Sequence, residues 1–163
     1  STSSAALIMA GYTPSPKVKT YDLQPEMSAH LIADKIINEV STNQPNFICL
    51  NFANTDMVGH TGVYPAIIKA AEEVDAALGK VMEVLTKNNY DVIIIADHGN
   101  ADFAINPDGS PNTAHSMNPV PVILVSQNQH QLKNGILADV APTLLNLLEL
   151  EVPAEMTGKS LID

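Results

Sequence analysis

Five side chains of types that bind divalent metals stand close to the ends of apolar runs. They are Asp56, His60, Asp97, His98 and His115. Asp56 and His60 are four residues apart, so they lie on one side of the chain if this segment turns helically. Asp97 and His98 are adjacent and diverge at the end of a strand, which lets them approach a metal pair from two sides. Because imidazole and carboxylate together suit zinc or manganese, the pattern predicts a centre for one or two metals.

Each of these groups has a simpler interpretation when it is taken singly. An Asp-His pair after a strand is more often a cap or a surface loop than a pair of ligands. Three groups at the same edge of one sheet favour the metal centre over that alternative. The other histidines lack the pattern: His30 has no acidic or imidazole neighbour at metal spacing and is interpreted as packed or solvated, and His130 as exposed.

Apolar patterns predict the strands and helices that would position these side chains. The predicted strands are 47–52, 92–96 and 120–125, and the predicted helices are about 28–40, 65–87 and 139–148. The run 92–96 has no polar alternation, which is typical of a parallel strand covered on both faces. This order predicts an α/β sandwich with a mainly parallel sheet, where ligands bind beyond the carboxyl ends of the strands. Residues 1–25 are interpreted as irregular or extended.

The composition restricts the possible ligands. The 163 residues have a formal net charge of −10, and all eight basic residues are lysines. This charge disfavours nucleic-acid binding, and without arginine a bound cation is the natural group to neutralise an anionic ligand. The single cysteine, Cys49, fits a reducing compartment and is expected to be buried and inert. No apolar run is long enough to span a membrane, and the first residues lack the basic start of a signal peptide.

Several longer runs resemble a known family. The runs 14–18, 20–28, 51–62, 96–102 and 114–121 are similar to signatures of cofactor-independent (2,3-bisphosphoglycerate-independent) phosphoglycerate mutase. Two further runs, 138–145 and 156–161, are shared more loosely across the alkaline-phosphatase superfamily. The resemblance extends from about residue 14 to residue 161.

The resemblance implies a fold and a domain assignment. The implied fold is a three-layer, alkaline-phosphatase-like α/β sandwich with a mainly parallel sheet. It is incomplete, because the family's N-terminal strand and inserted transferase domain have no counterpart among these residues. Residues 14–163 correspond to the C-terminal part of the metal-binding phosphatase-like domain, and residues 1–13 are interpreted as an irregular segment or a cloning remnant.

The resemblance also implies an activity and a set of metal ligands. The family interconverts 3-phosphoglycerate and 2-phosphoglycerate in glycolysis through a phosphoserine intermediate at a centre of two Mn²⁺ ions, with other divalent metals possible. Asp56, His60 and His115 would hold one metal, and Asp97 and His98 would belong to the other. Asn100 has no assigned role. The nucleophilic serine has no counterpart here, so this chain alone is expected to be inactive.

The implied partners follow from the same resemblance. The resemblance implies that the full-length enzyme binds a small-molecule phosphoglycerate, binds neither nucleic acid nor membrane, and is cytoplasmic. The missing strand would leave an exposed sheet edge through which copies of the chain could self-associate. Two other functions stay open: a non-catalytic metal-binding or interaction module, and another hydrolase of the alkaline-phosphatase superfamily. The runs 24–28 and 56–60 argue against the second of these.

Overall fold

The computed structural model is an α/β structure and describes residues 7–9 and 13–163. Its strands are β1 Leu7–Met9, β2 Phe47–Cys49, β3 Val92–Ile95 and β4 Val122–Val125. Its α-helices are α1 Ala29–Asn43, α2 Asn54–Gly59, α3 Tyr64–Lys87 and α4 Val140–Leu147. Short 3₁₀ helices span Tyr21–Leu23, Ala101–Phe103 and Leu137–Asp139. None of the helices in this described part combines the length and the apolar character needed to cross a bilayer.

The chain divides into two compact units. The first contains Ser1–Asn88 and His98–Pro119, and the second contains Asn89–Asp97 and Val120–Asp163. The division falls between Asp97 and His98, so two of the five predicted ligands that are neighbours in sequence belong to different units.

Two long helices form the apolar interior of the first unit. Helix α1 packs against α3 and buries Ile36 and Val40, which are four residues apart and therefore on one face. Pro65 stands in the first turn of α3, where a proline costs no helical hydrogen bond. The buried face of α3 includes Ala70 and Ala77, which are both fully buried.

Helix α2 is short and is anchored at both ends. Its first residue, Asn54, is buried and donates Nδ2 hydrogen bonds of 2.8 Å to the carbonyl oxygens of Pro25 and Glu26. Val58 is fully buried in a cluster with Ile67 of α3. This six-residue helix is too short to be stable without such contacts, so its position is set by tertiary packing.

The described strands form one parallel and one antiparallel pair, where the sequence predicts a mainly parallel sheet. In the first unit β1 and β2 are parallel, with Leu7 opposite Phe47. In the second unit β3 and β4 are antiparallel, with Val92 opposite Val125. The physical reason is the connection: residues 96–121 contain no α-helix, and a parallel pair needs a long crossover that is usually helical.

Two further expectations concern the first part of the chain. The segment 1–13, interpreted as irregular or as a cloning remnant within the irregular or extended residues 1–25, contains β1 at Leu7–Met9; residues 1–6 and 10–12 lie outside the described residues. Cys49 was expected to be buried but is exposed. It is the last residue of β2, where Phe47 and Ile48 are only half-buried, so the apolar run is not covered on both faces.

Helix α4 of the second unit is held by polar contacts on Asp139. The Asp139 carboxylate accepts hydrogen bonds from the backbone N–H groups of Ile136 and Lys159, at 2.9 and 2.8 Å. These bonds lower the pKa of Asp139, with the bond from Ile136 as the larger cause. Buried Thr143 accepts the N–H of Leu161 at 2.9 Å, which ties the end of the chain to the helix.

Candidate metal centre

The centre begins with Asp56 and His60 on helix α2. Asp56 lies in the first turn, and His60 is the residue that ends the helix and donates its backbone N–H to the Asp56 carbonyl. The spacing of four residues places both side chains on the same face. His60 Nε2 stands 3.2 Å from Asp56 Oδ1, and both side chains are partly open to solvent.

The backbone carbonyl of Thr113 determines the tautomer of His60. His60 Nδ1 lies 2.7 Å from the Thr113 oxygen. Because a carbonyl oxygen can only accept, Nδ1 carries the hydrogen and donates it. In the neutral ring Nε2 therefore carries a lone pair, and Nε2 is the ring nitrogen that faces Asp56.

His115 joins these two residues from a distant part of the chain. His115 Nε2 lies 3.2 Å from Asp56 Oδ1 and 3.2 Å from His60 Nε2. With the 3.2 Å between Asp56 and His60, the three atoms form an equilateral triangle. Ligand atoms about 2.1 Å from a shared ion stand about 3.0–3.4 Å apart in octahedral or tetrahedral geometry, so the spacing fits ligands of one metal.

His98 stacks on His115 beside this triangle. The two ring centroids are 3.7 Å apart with an interplanar angle of 16°. His98 Nδ1 lies 3.3 Å from the carbonyl oxygen of Gly99. Asp56, His98 and His115 each offer a ligand atom within 4.8 Å of the others. The structure thus brings four of the five predicted ligands together in the first unit.

Asp97 is the fifth predicted ligand and belongs to the second unit, directly after β3. The grouping of close ligand atoms among the described residues does not contain it. Its role at a second metal therefore stays a prediction.

The donor set fits a divalent cation on grounds of charge. A lone pair on His60 Nε2 and the Asp56 carboxylate repel each other at 3.2 Å unless a proton or a cation stands between them. A divalent metal removes the repulsion and is attracted by the carboxylate. Imidazole nitrogen with carboxylate oxygen is the donor set of zinc, manganese and similar ions.

Asn100 is a site residue for which the sequence indicated no role. It is buried and donates Nδ2 to Asp56 Oδ1 at 2.8 Å, while its own Oδ1 has no hydrogen-bond partner among the described residues. A side chain at Gly59 would overlap the Asn100 amide, so glycine is needed there for close approach. The only sequence signal was the position of Asn100 two residues after His98.

His30 has an acidic partner that its sequence neighbours did not indicate. Its Nε2 lies 2.6 Å from Glu73 Oε2, and Lys69 lies 2.8 Å from Glu73 Oε1. Bonds from Lys69 and then from His30 lower the pKa of Glu73. The pair links α1 to α3 and contains one carboxylate, so it is a structural contact between helices.

Comparison with known proteins agrees with a metal-binding chain. The family model described as the Metalloenzyme superfamily matches residues 10–152. The 2,3-bisphosphoglycerate-independent phosphoglycerate mutase of Parabacteroides distasonis is 58% identical over 150 residues, which cover 91% of this chain and 30% of that protein. The Flavobacterium johnsoniae protein of the same name is 55% identical over 148 residues, which cover 91% of this chain and 29% of that protein.

A solved structure shares the fold. A crystal structure of Leishmania mexicana phosphoglycerate mutase, determined at low cobalt concentration, matches with a TM-score of 0.83 and 31% identity. The match covers 93% of this chain and 31% of that one. This chain therefore spans about three-tenths of the length of the relatives it matches. On the match over residues 10–152, the chain belongs to the Metalloenzyme superfamily.

Proposed function

We propose that this chain is the metal-binding part of a cofactor-independent phosphoglycerate mutase, which interconverts 3-phosphoglycerate and 2-phosphoglycerate. The observation that carries the proposal is the triangle of Asp56 Oδ1, His60 Nε2 and His115 Nε2, each 3.2 Å from the other two. The relatives named as this mutase, at 55–58% identity over most of the chain, supply the reaction.

The proposed centre takes two divalent ions, for which we propose manganese. Asp56, His60 and His115 would hold one ion, and Asp97 with His98 would contribute to the other. Bound metals stabilise the attacking and leaving oxygens and the charge of a transferring phosphoryl group. The Leishmania mexicana structure, determined at low cobalt concentration, supports a divalent ion.

The residues of this chain have the task of orienting the ligands. The Thr113 carbonyl holds the Nδ1 hydrogen of His60, and Asn100 donates to Asp56 Oδ1. The sequence contains no arginine, so within this chain only lysines and bound cations can counter the charge of a phosphate. We assign no residue of the chain as the nucleophile, and we expect no mutase turnover from the 163 residues alone.

The remaining proposals concern the fold and the assembly. The α/β structure and the Leishmania mexicana match support an alkaline-phosphatase-like, three-layer sandwich. A glycolytic role would place the protein in the cytoplasm. Copies of this chain would self-associate through the outer edge of a sheet, because an unpaired strand edge is a template for pairing.

A chimera tests the proposed function directly. Residues 14–163 would replace the matching stretch of the Parabacteroides distasonis mutase, and conversion of 3-phosphoglycerate would be measured with added Mn²⁺. We expect the chimera to turn over substrate, and His115→Ala to lower turnover by at least about 100-fold, more than the loss of an orienting partner costs.

His130→Ala is the matched control in the same chimera. His130 lies in the second unit and is outside the group of close ligand atoms. This variant should keep the turnover of the parent chimera. A folded chimera without activity would contradict the mutase proposal, and equal losses for both histidine variants would contradict the ligand assignment.

A further inference from the structure

Asp102 connects two segments that carry candidate ligands. It lies in the 3₁₀ helix Ala101–Phe103, four residues after His98. Its Oδ2 accepts a hydrogen bond from Ser116 Oγ at 2.8 Å and another from Asn118 Nδ2 at 2.7 Å. One carboxylate oxygen therefore holds two residues of the segment that begins with His115.

The backbone brings the same two segments together. Ser116 donates its N–H to the carbonyl oxygen of Gly99 at 2.8 Å, in an antiparallel bridge between these residues. A side chain at Gly99 would overlap Ser116 Oγ and stand 2.7 Å from Asp102 Oδ1. Glycine at this position thus permits the close approach that places Ser116 against Asp102.

Apolar packing contributes little to the position of His115. Met117 is fully exposed, and Ser116 is the one residue of 113–119 that is even half-buried. Upstream, Asn112 bonds to the backbone of Phe103 and Ala104. The His115 ring stacks on His98, and Thr113 is bonded to His60. Downstream of His115, Ser116 and Asn118 bond to the side chain of Asp102.

The charge of Asp102 is suited to this task. Hydrogen bonds to an ionised acceptor are shorter and stronger than those between neutral groups. The bonds from Asn118 and then from Ser116 lower the pKa of Asp102, so the carboxylate is ionised at neutral pH. Asp102 is exposed, and its Oδ2 faces these two donors rather than the triangle of ligand atoms.

We propose that Asp102 is a positioning residue for the metal centre, because its bonds to Ser116 and Asn118 hold His115 Nε2 beside Asp56. This inference rests on the proposed metal centre and adds a residue that binds no metal itself. Its distinguishing consequence is dependence on His115: when the imidazole is absent, Asp102 has nothing left to position.

A double-mutant cycle tests that dependence on the 163-residue chain. Co²⁺ binding would be measured by calorimetry for the unaltered chain, Asp102→Ala, His115→Ala and the double variant. We expect Asp102→Ala to weaken Co²⁺ binding by about 10-fold to 100-fold, as is usual for groups that orient a ligand. In the His115→Ala background the same change should have less than about a twofold effect. The visible spectrum of Co²⁺ on Asp102→Ala should approach that of His115→Ala.

Asp108→Ala is the matched control. Asp108 is also exposed and also accepts hydrogen bonds from a serine, Ser110. These bonds stay within one turn and reach no segment that carries a candidate ligand. Its removal should leave Co²⁺ affinity unchanged. Asn118→Ala removes one of the two donors and should weaken binding less than Asp102→Ala, which keeps the test valid if Asp102→Ala folds poorly.

The outcomes separate this inference from the proposed function. If Asp102→Ala costs the same factor in both backgrounds, it acts through charge or fold stability and the positioning role is wrong. If Asp102→Ala leaves Co²⁺ affinity unchanged while His115→Ala weakens it, only the Asp102 inference fails. If the unaltered chain binds no Co²⁺, or if His115→Ala has no effect, the metal centre and the inference fail together.

Discussion

At the scale of single residues, the centre depends on groups that remove alternative orientations of its ligands. Thr113 assigns the tautomer of His60, and Asn100 holds one oxygen of Asp56. Such partners fix the direction of a ligand's lone pair before a metal binds. Part of the entropy cost of ordering the ligand side chains is therefore incurred during folding and not during metal binding.

Replacing Asn100 by alanine should weaken metal binding without removing a ligand. The change deletes the 2.8 Å bond to Asp56 Oδ1, and the carboxylate can then rotate away from the histidines. We expect Mn²⁺ affinity, measured by calorimetry, to fall by about tenfold. Asn106→Ala is the control, because Asn106 bonds only within the loop around Ser110 and Pro111. Equal affinities for the two variants would show that Asn100 does not orient Asp56.

The sequence indicated the candidate metal ligands but not the residues that would orient them. Asp56 and His60 are linked by local spacing, and His98 follows a strand, so their types and positions indicated a site. Asn100 and Asp102 act on residues 44 and 14 positions away. No local pattern encodes such contacts, because they exist only once the loop 98–119 has folded onto α2 and onto itself.

At the scale of elements, the helices were more predictable than the strand pairing. Helix α3 was expected at 65–87 and spans Tyr64–Lys87, because a long apolar stripe and a proline in the first turn mark it. The strand expected at 92–96 is β3, but it pairs antiparallel with β4, whereas its uninterrupted apolar run favoured a parallel pairing. Pairing depends on the path of the connecting loop, which periodicity does not report.

The link between α1 and α3 gives a pH-dependent prediction. Lys69 and His30 lower the pKa of Glu73 below the 4.5 of an unperturbed glutamate. A lowered pKa in the folded state stabilises the protein above the unfolded value, and this contribution is lost as the pH falls through the folded value. Glu73→Gln should therefore lower Tm at pH 6 to 7, and the difference from the unaltered chain should shrink as the pH is lowered below 4.5 toward pH 3.

Glu72→Gln is the control for this prediction. Glu72 lies 3.7 Å from the same lysine but has a side-chain exposure of 63%, against 18% for Glu73. Solvent screens such a pair, so its loss should leave Tm almost unchanged. Thermal unfolding followed by circular dichroism at both pH values would decide. A Tm difference for Glu73→Gln that persists at pH 3 would show that lost packing, not charge, is responsible.

At the scale of the whole molecule, each described sheet has only two strands, and the relatives that match this chain are about three times its length. Large apolar side chains of the second unit are exposed, including Ile95 and Ile123 on the paired strands β3 and β4. Exposed apolar strands favour pairing with a further strand. In this chain by itself, a second copy is the available partner.

Light scattering coupled to size exclusion should therefore show the 163-residue chain as a dimer or larger species at micromolar concentration. Ile123→Lys should shift it toward the monomer, because a lysine on an edge strand opposes pairing and Ile123 is already 49% exposed. Leu31→Lys is the control: Leu31 is 60% exposed on α1, in the other unit, and its replacement should not change the mass. An unaltered chain that elutes as a stable monomer would contradict self-association through the sheet, and an equal shift for both variants would assign it to general surface hydrophobicity.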